Sequence, residues 1–164
     1  MFRLLPETRD DAYEVEMLYD LAFAPGRGAL SSYKLREGVA PVGPLCTVAR
    51  DEFDSLVGAI RFWPVRIGGA TALLLGPIAV HPTYQGEGLG ARLIATGLDQ
   101  AREAGWQRVV LVGDPPYYGR FGFEAAIPLG ISFPPPVNPD RVLILELQPG
   151  AFREVSGEVT PWSC

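Results

Sequence analysis

The sequence predicts a single α/β domain, a mixed and mostly antiparallel central sheet with helices on both faces. Three observations predict it. Between Leu45 and Val80 apolar runs alternate with polar turns, and Leu56 to Ile67 is joined to Ala70 to Val80 by Gly68-Gly69, a two-residue hairpin signal. Leu89, Leu93, Ile94, Gly97, Leu98 and Ala101 then recur at the 3.6-residue period of a helix, opposite Arg92, Asp99, Gln100, Arg102 and Glu103. Arg108 to Val112 (RVVLV) follows that helix and reads as a buried parallel strand.

In chain order, Phe2 to Leu5 is a first strand. Thr8 with Asp11 three positions on is a helix-start signal. Val15, Leu18, Tyr19 and Ala22 give a helix from Asp10 to Phe23 one apolar face, and Pro25-Gly26 breaks it. Ser31 and Ser32 begin a short second helix through Glu37, closed by Gly38. Leu45 to Arg50 is a strand and Asp51 to Ser55 a polar turn leading into the hairpin. Arg61 and Arg66 within that hairpin are expected to face solvent. Gly105 ends the long helix in a left-handed cap. Gly113-Asp114-Pro115-Pro116 forces an irregular connection because proline supplies no N–H. Tyr117 to Phe121 then forms one or two helical turns ended by Gly122. Phe123 to Ala126 begins another strand, Pro128 to Pro139 is a rigid loop with five prolines, and Val142 to Leu147 closes the sheet. The expected domain is 1–149, with residues 150–164 a tail that has no assigned place.

Composition narrows the function. The chain has 164 residues, 48% of them hydrophobic, enough for one real core. Fourteen basic against nineteen acidic side chains give a net charge of −5 without a basic run. Nucleic acid and membrane surfaces, which are bound through clustered Lys and Arg, are therefore disfavoured as partners. One histidine and two cysteines, Cys46 and Cys164, offer neither a metal spacing nor a disulfide framework. The start MFRLLPETRDD lacks the apolar core of a signal peptide, and no apolar run approaches about 18 residues. A cytoplasmic, metal-free, cofactor-using protein is the expectation.

The chemistry centres on Gly76 to Gly105. An apolar strand leads through a polar turn into Gln85-Gly86-Glu87-Gly88-Leu89-Gly90 and then a helix. The first N–H groups of a helix lack internal partners and sit at its positive end. Glycines remove the Cβ atoms that would hold a phosphate away from them. Gly86, Gly88 and Ala91 also satisfy G-x-G-x-x-A, a dinucleotide fingerprint with Asp114 as its ribose-binding acid. Spacing argues against that reading. Five residues separate the strand from Gly86, and Asp114 lies 28 positions after it, beyond the usual spacing of about 20.

The stretch Ile78-Ala79-Val80-His81-Pro82-Thr83-Tyr84-Gln85-Gly86-Glu87-Gly88-Leu89-Gly90 resembles the acetyl-CoA signature of the GNAT superfamily of N-acetyltransferases, Q/R-x-x-G-x-G/A after a strand. Downstream, Tyr118-Gly119-Arg120-Phe121-Gly122-Phe123 resembles that superfamily's Y-x-R-x-G-F. The resemblance implies a GNAT-like fold and transfer of an acetyl or short acyl group from coenzyme A to an amine, by direct attack in a ternary complex. Acetyl-CoA is then the acyl-donor substrate, its pyrophosphate over the main chain of Gln85, Gly86, Glu87, Gly88, Leu89, Gly90 and Ala91. The Glu87 carboxylate is expected to point to solvent. The pantetheine arm would run along Ile78, Ala79 and Val80, where a main-chain N–H polarises the thioester carbonyl. That arrangement requires Ala70–Val80 and Arg108–Val112 to splay, with Gly76-Pro77 as the place for a bulge.

Tyr118 matches the family's tyrosine that protonates the departing sulfur. Arg120 contacts either the coenzyme or a surface carboxylate. No general base is evident: Val110 to Val112 are apolar, Asp114 is the nearest titratable residue or else a turn cap, and His81 is expected to serve a structural hydrogen bond. The region around the first two helices is expected to shape the acceptor pocket, and Arg27 there is a solvated loop arginine or a carboxylate anchor. The acceptor is a small-molecule or peptide amine. Edge strands near the C-terminus would allow pairing as a homodimer. Two other readings stay open: a non-catalytic acyl-CoA-binding regulatory module, and an NAD-type dinucleotide binder.

Overall fold

The structure is a computed structural model that describes residues 1–23 and 31–162. The helix break at Pro25-Gly26, the loop carrying Arg27, and Cys164 lie outside the described residues. The strands are β1 (Arg3–Pro6), β2 (Thr47–Arg50), β3 (Leu56–Ile67), β4 (Ala70–Val80), β5 (Arg108–Val112), β6 (Glu124–Ala125), β7 (Ile131–Ser132), β8 (Val142–Glu146) and β9 (Gly157–Pro161). The helices are α1 (Ala12–Ala22), α2 (Ser31–Lys34), α3 (Leu89–Glu103) and α4 (Pro115–Tyr118). In the sheet the order is β1-β2-β3-β4-β5-β8-β6, with β4 and β5 parallel; off this path β9 pairs with β3 and, in parallel, with β7. The mixed, mostly antiparallel sheet is as the sequence predicts.

Helices cover both faces. On one, Leu89, Leu93, Ile94, Leu98 and Ala101 of α3 are buried against Val57, Phe62 and Leu73. Burying each large side chain contributes roughly 1.5–3 kcal/mol. Gly97 is required there, since a Cβ would run into the Phe62 ring. On the other face, Val15, Leu18 and Tyr19 of α1 pack on Val48, Ala59 and Ala79. The start of α1 is braced as its sequence signal implies: the Asp11 carboxylate accepts from the Thr8 N–H and hydroxyl at 2.8 and 3.0 Å. Gly105, with φ 92°, terminates α3 in the left-handed region, and the next N–H, from Trp106, donates to Ala101 O at 3.0 Å.

Three expectations need correction. Arg61 does not face solvent: its side chain is 12% exposed and donates to Glu7 at 2.8 and 3.0 Å and to Glu16 at 2.6 Å. The two carboxylates come from outside β3, so strand alternation alone could not reveal them. The connection after β5 is less irregular than expected, because α4 begins at Pro115. Proline is tolerated in a first helical turn, where its missing N–H has no intrahelical partner anyway. Arg66 also has a partner, stacking 4.5 Å from the Trp162 ring centre. The described part of the tail has a definite place: β9 pairs with β3 at Val65–Ile67 and with β7, and Phe152 and Val159 are buried.

Candidate active site

The site begins with a bulge. Phe62 pairs with Leu75 and Ile60 with Ile78, so Gly76 and Pro77 of β4 together face the single residue Arg61 of β3. Gly76 has φ 128°, a conformation that favours glycine. The extra residue changes which positions face α3. Leu73 and Leu75 do so before the bulge, and Ile78 and Val80 after it. Side chains satisfy both carbonyls of the bulge: the Trp63 indole N–H donates to Gly76 O at 2.7 Å, and the Tyr19 hydroxyl to Pro77 O at 2.9 Å.

Beyond the bulge the sheet opens. The pairing of β4 with β5 is confined to Leu73 and Leu74 opposite Val109 and Val110. On the other side β4 stays paired with β3, and the His81 N–H donates to Val57 O at 2.8 Å. Antiparallel pairs alternate between facing toward and away from the partner strand. Ala79 therefore faces β3 with His81, while Ile78 and Val80 turn their N–H groups into the opening. The Gln85 side-chain amide, donating to Val80 O at 3.3 Å, lies on that open side.

Two concavities meet at the opening. A cleft of about 390 Å³ is lined by Val80, Gln85, Gly86, Gly88, Leu89, Gly90 and Ala91, with Tyr117 and Arg120 opposite. Glu87 is exposed outside this lining, and Leu89 is 1% exposed, so it meets the cleft through its main chain. Ala79 is buried toward α1 and reaches neither concavity with its side chain. Gly86 and Gly88 have φ of 87° and 81°, and no atom lies within 4 Å of a Cβ built on either. The N-terminus of α3 receives no side-chain cap, which leaves its first N–H groups facing the cleft. Arg120 stacks 4.4 Å from the Tyr117 ring centre and donates to Tyr117 O at 3.1 Å. It has no carboxylate partner among the described residues.

The second concavity, about 460 Å³, fills the gap between β4 and β5 and includes Ile78, Gly113, Asp114, Tyr117 and Tyr118 in its walls. Tyr118 is half-buried, held by ring contacts to Tyr117, Phe121 and Phe123 at 5.0, 6.4 and 5.9 Å. Burial first, and the neighbouring Tyr117 second, push its phenol up to about 12. A Cβ at Gly113 would run into the Tyr118 ring. Gly113→Ala should therefore move this ring and lower turnover while leaving unfolding cooperative, a pairing that steady-state kinetics and thermal melts will check.

Asp114 occupies the N-cap of α4, yet its side chain makes no cap hydrogen bond; it is exposed on the cavity wall. His81 takes the structural role expected of it, Nδ1 accepting from the Thr83 N–H at 3.2 Å. Among the described residues, no group of three His, Cys, Asp or Glu side chains is placed to hold a metal ion. No described helix is long and apolar enough to cross a membrane. Two cavity residues, Arg36 and Arg141, carried no local signal in the sequence.

The family model of the Acetyltransferase (GNAT) domain matches residues 43–125. The chain belongs to the GNAT acetyltransferase family. It is 37% identical over 119 residues to the uncharacterized N-acetyltransferase YhbS of Escherichia coli strain K12, covering 71% of this chain and 70% of that protein. The crystal structure of E. coli YhbS in complex with CoA superposes with a TM-score of 0.84 at 30% identity, covering 98% of this chain and 88% of that one. A GNAT acetyltransferase from Brucella melitensis in complex with acetyl-CoA gives 0.73 at 30% identity, covering 99% and 97%. The dinucleotide reading of Gly86, Gly88, Ala91 and Asp114 lacks its frame. A 3₁₀ turn at Pro82–Tyr84 intervenes before the glycines, and the parallel pair β4–β5 is flanked by antiparallel β3 and β8 where a doubly wound sheet would continue parallel.

Proposed function

We propose that this acetyltransferase moves an acetyl group from acetyl-CoA to a primary amine by direct attack within a ternary complex. One observation carries the reading: the Ile78 and Val80 N–H groups face an opening that has a glycine-lined helix N-terminus at one end and Tyr118 across from it.

The residues present suit the coenzyme. Main-chain N–H groups from Gly86 to Ala91 would hold the pyrophosphate, with no Cβ at Gly86 or Gly88 in the way. Arg120, without a carboxylate partner among the described residues, adds a cation to the same cleft. The edge of β4 from Ile78 to Val80 would pair with the amides of the pantetheine arm as an added strand does. Its free N–H groups would polarise the thioester carbonyl and stabilise the charge that grows on its oxygen. One such donor is worth roughly 10²–10³ in rate.

Tyr118 would donate its hydroxyl hydrogen to the departing sulfur. A free thiol ionises near ~8.5, well below the phenol at about 12. Full proton transfer from Tyr118 is therefore uphill, and its contribution is a hydrogen bond to the leaving thiolate. Asp114 is the carboxylate lining this cavity among the described residues, and it would take the amine proton directly or through water.

Thiol release from acetyl-CoA across a panel of primary amines tests the proposal. Amine-dependent release with stoichiometric N-acetyl product supports it. Tight acetyl-CoA binding with no amine-dependent release would favour a regulatory acyl-CoA-binding module.

A further inference from the structure

Arg36 lies just after α2, with its guanidinium between two rings, 4.5 Å from the Tyr33 ring centre and 5.6 Å from that of Trp63. Beneath it is the bulge, where a Cβ at Gly76 would meet Nη2 at 3.4 Å. Nε and Nη1 are sealed from solvent and have no hydrogen-bond partner among the described residues. Burial lowers the group to about 10, which still leaves it cationic at neutral pH. A buried cation without an anion is costly, and ring faces offset only part of that cost. Arg61 nearby shows the contrast: Glu7 and Glu16 fill its donors.

The position of Arg36 matters as much as its lack of an anion among the described residues. It lines the cavity between β4 and β5, and also a side pocket of about 170 Å³ with Glu16, Arg61, Trp63 and Pro77. It therefore stands where the two spaces join, on the bulge whose far side presents the Ile78 N–H. Gly76 and Ile78 are two residues apart, a span of roughly 7 Å or less.

We propose that Arg36 is a specificity residue that binds a carboxylate on the acceptor, so that the substrate class is a compact amino-carboxylate. This rests on the acyl-transfer reading of the same cavity. The carboxylate would complete the charge on Arg36 while the amine, a few bonds away, reaches the thioester at Ile78. A guanidinium suits a carboxylate because its hydrogen bonds to one are charge-assisted.

The test uses matched pairs, an amino acid and its carboxamide, with two readouts. Thiol release gives kcat/KM, and thermal unfolding of the coenzyme A complex gives binding without turnover. Wild type should prefer the acid over the amide by about 10- to 100-fold. Arg36→Gln should bring the acid down to the amide's level, and Arg36→Lys should recover part of the difference. Arg36→Gln alone should melt at or above wild type, because it removes a buried cation that has no anion among the described residues. An acid-specific thermal shift that Arg36→Gln lacks upholds the proposal even without thiol release, in which case the transfer reading falls instead. Equal treatment of acid and amide by wild type, in both binding and turnover, overturns it.

Discussion

Tyr118→Phe is expected to lower kcat about 100-fold, the lower end of the range for a positioned acid, while the affinity for acetyl-CoA stays within a few-fold of wild type. The split follows from geometry. Tyr118 lines the cavity between β4 and β5 and does not line the glycine cleft. Its ring is held by Tyr117, Phe121 and Phe123, so losing one oxygen leaves the packing intact. The size follows from acidity. A phenol at about 12 helps a weakly basic thiolate by hydrogen bonding more than by giving up its proton. Because that value is raised, the protonated form persists at every pH below it. The pH–rate profile should show no loss from Tyr118 ionisation up to pH ~10. A Phe variant with full turnover would remove Tyr118 from the mechanism.

Gly88→Val is expected to abolish coenzyme binding. Gly88 caps α3 with φ 81°, a left-handed conformation, which costs an L-residue roughly 1–2 kcal/mol. The new side chain would also stand between the α3 N–H groups and the pyrophosphate. At acetyl-CoA concentrations ~100 times Kd, wild type should gain about 2.7 kcal/mol, a rise of several degrees in Tm for a domain this size. The variant should show no rise over its own baseline, and NAD should shift neither protein. A variant that keeps the acetyl-CoA shift would move the phosphate site away from Gly88.

The parts of the fold that the sequence made legible are those with local periodicity. Leu56–Ile67, Gly68-Gly69, Ala70–Val80, Leu89–Glu103 and Arg108–Val112 each carry their own pattern, and a glycine adjoins the ends at Ile67, Ala70, Leu89 and Val112. The bulge at Gly76-Pro77 was legible for the same reason, since a proline inside an apolar strand interrupts its ladder. The two-residue strand β7 and the tail strand β9 were not, because they are specified by pairing across long stretches of chain. The site divides in the same way. Gln85 to Ala91 and Tyr118 sit in contiguous motifs, whereas Arg36 and Arg141 reach the cavity from separate parts of the chain. The pairing of Arg61 with Glu7 and Glu16 joins residues 54 and 45 positions apart, which no local pattern encodes.

If the open edge of β4 receives the thioester, its amides respond to the coenzyme, and that response is decisive for the proposed transfer. Amide NMR of the isotopically labelled protein, titrated with acetyl-CoA, tests it residue by residue. Large, saturable shifts are expected at the Ile78 and Val80 amides together with those from Gly86 to Ala91, with slowed hydrogen exchange at Ile78 and Val80. Shifts at the glycine turn that leave Ile78 and Val80 unmoved would contradict it, because the acyl group would then lie away from the donors on which the proposed transfer depends.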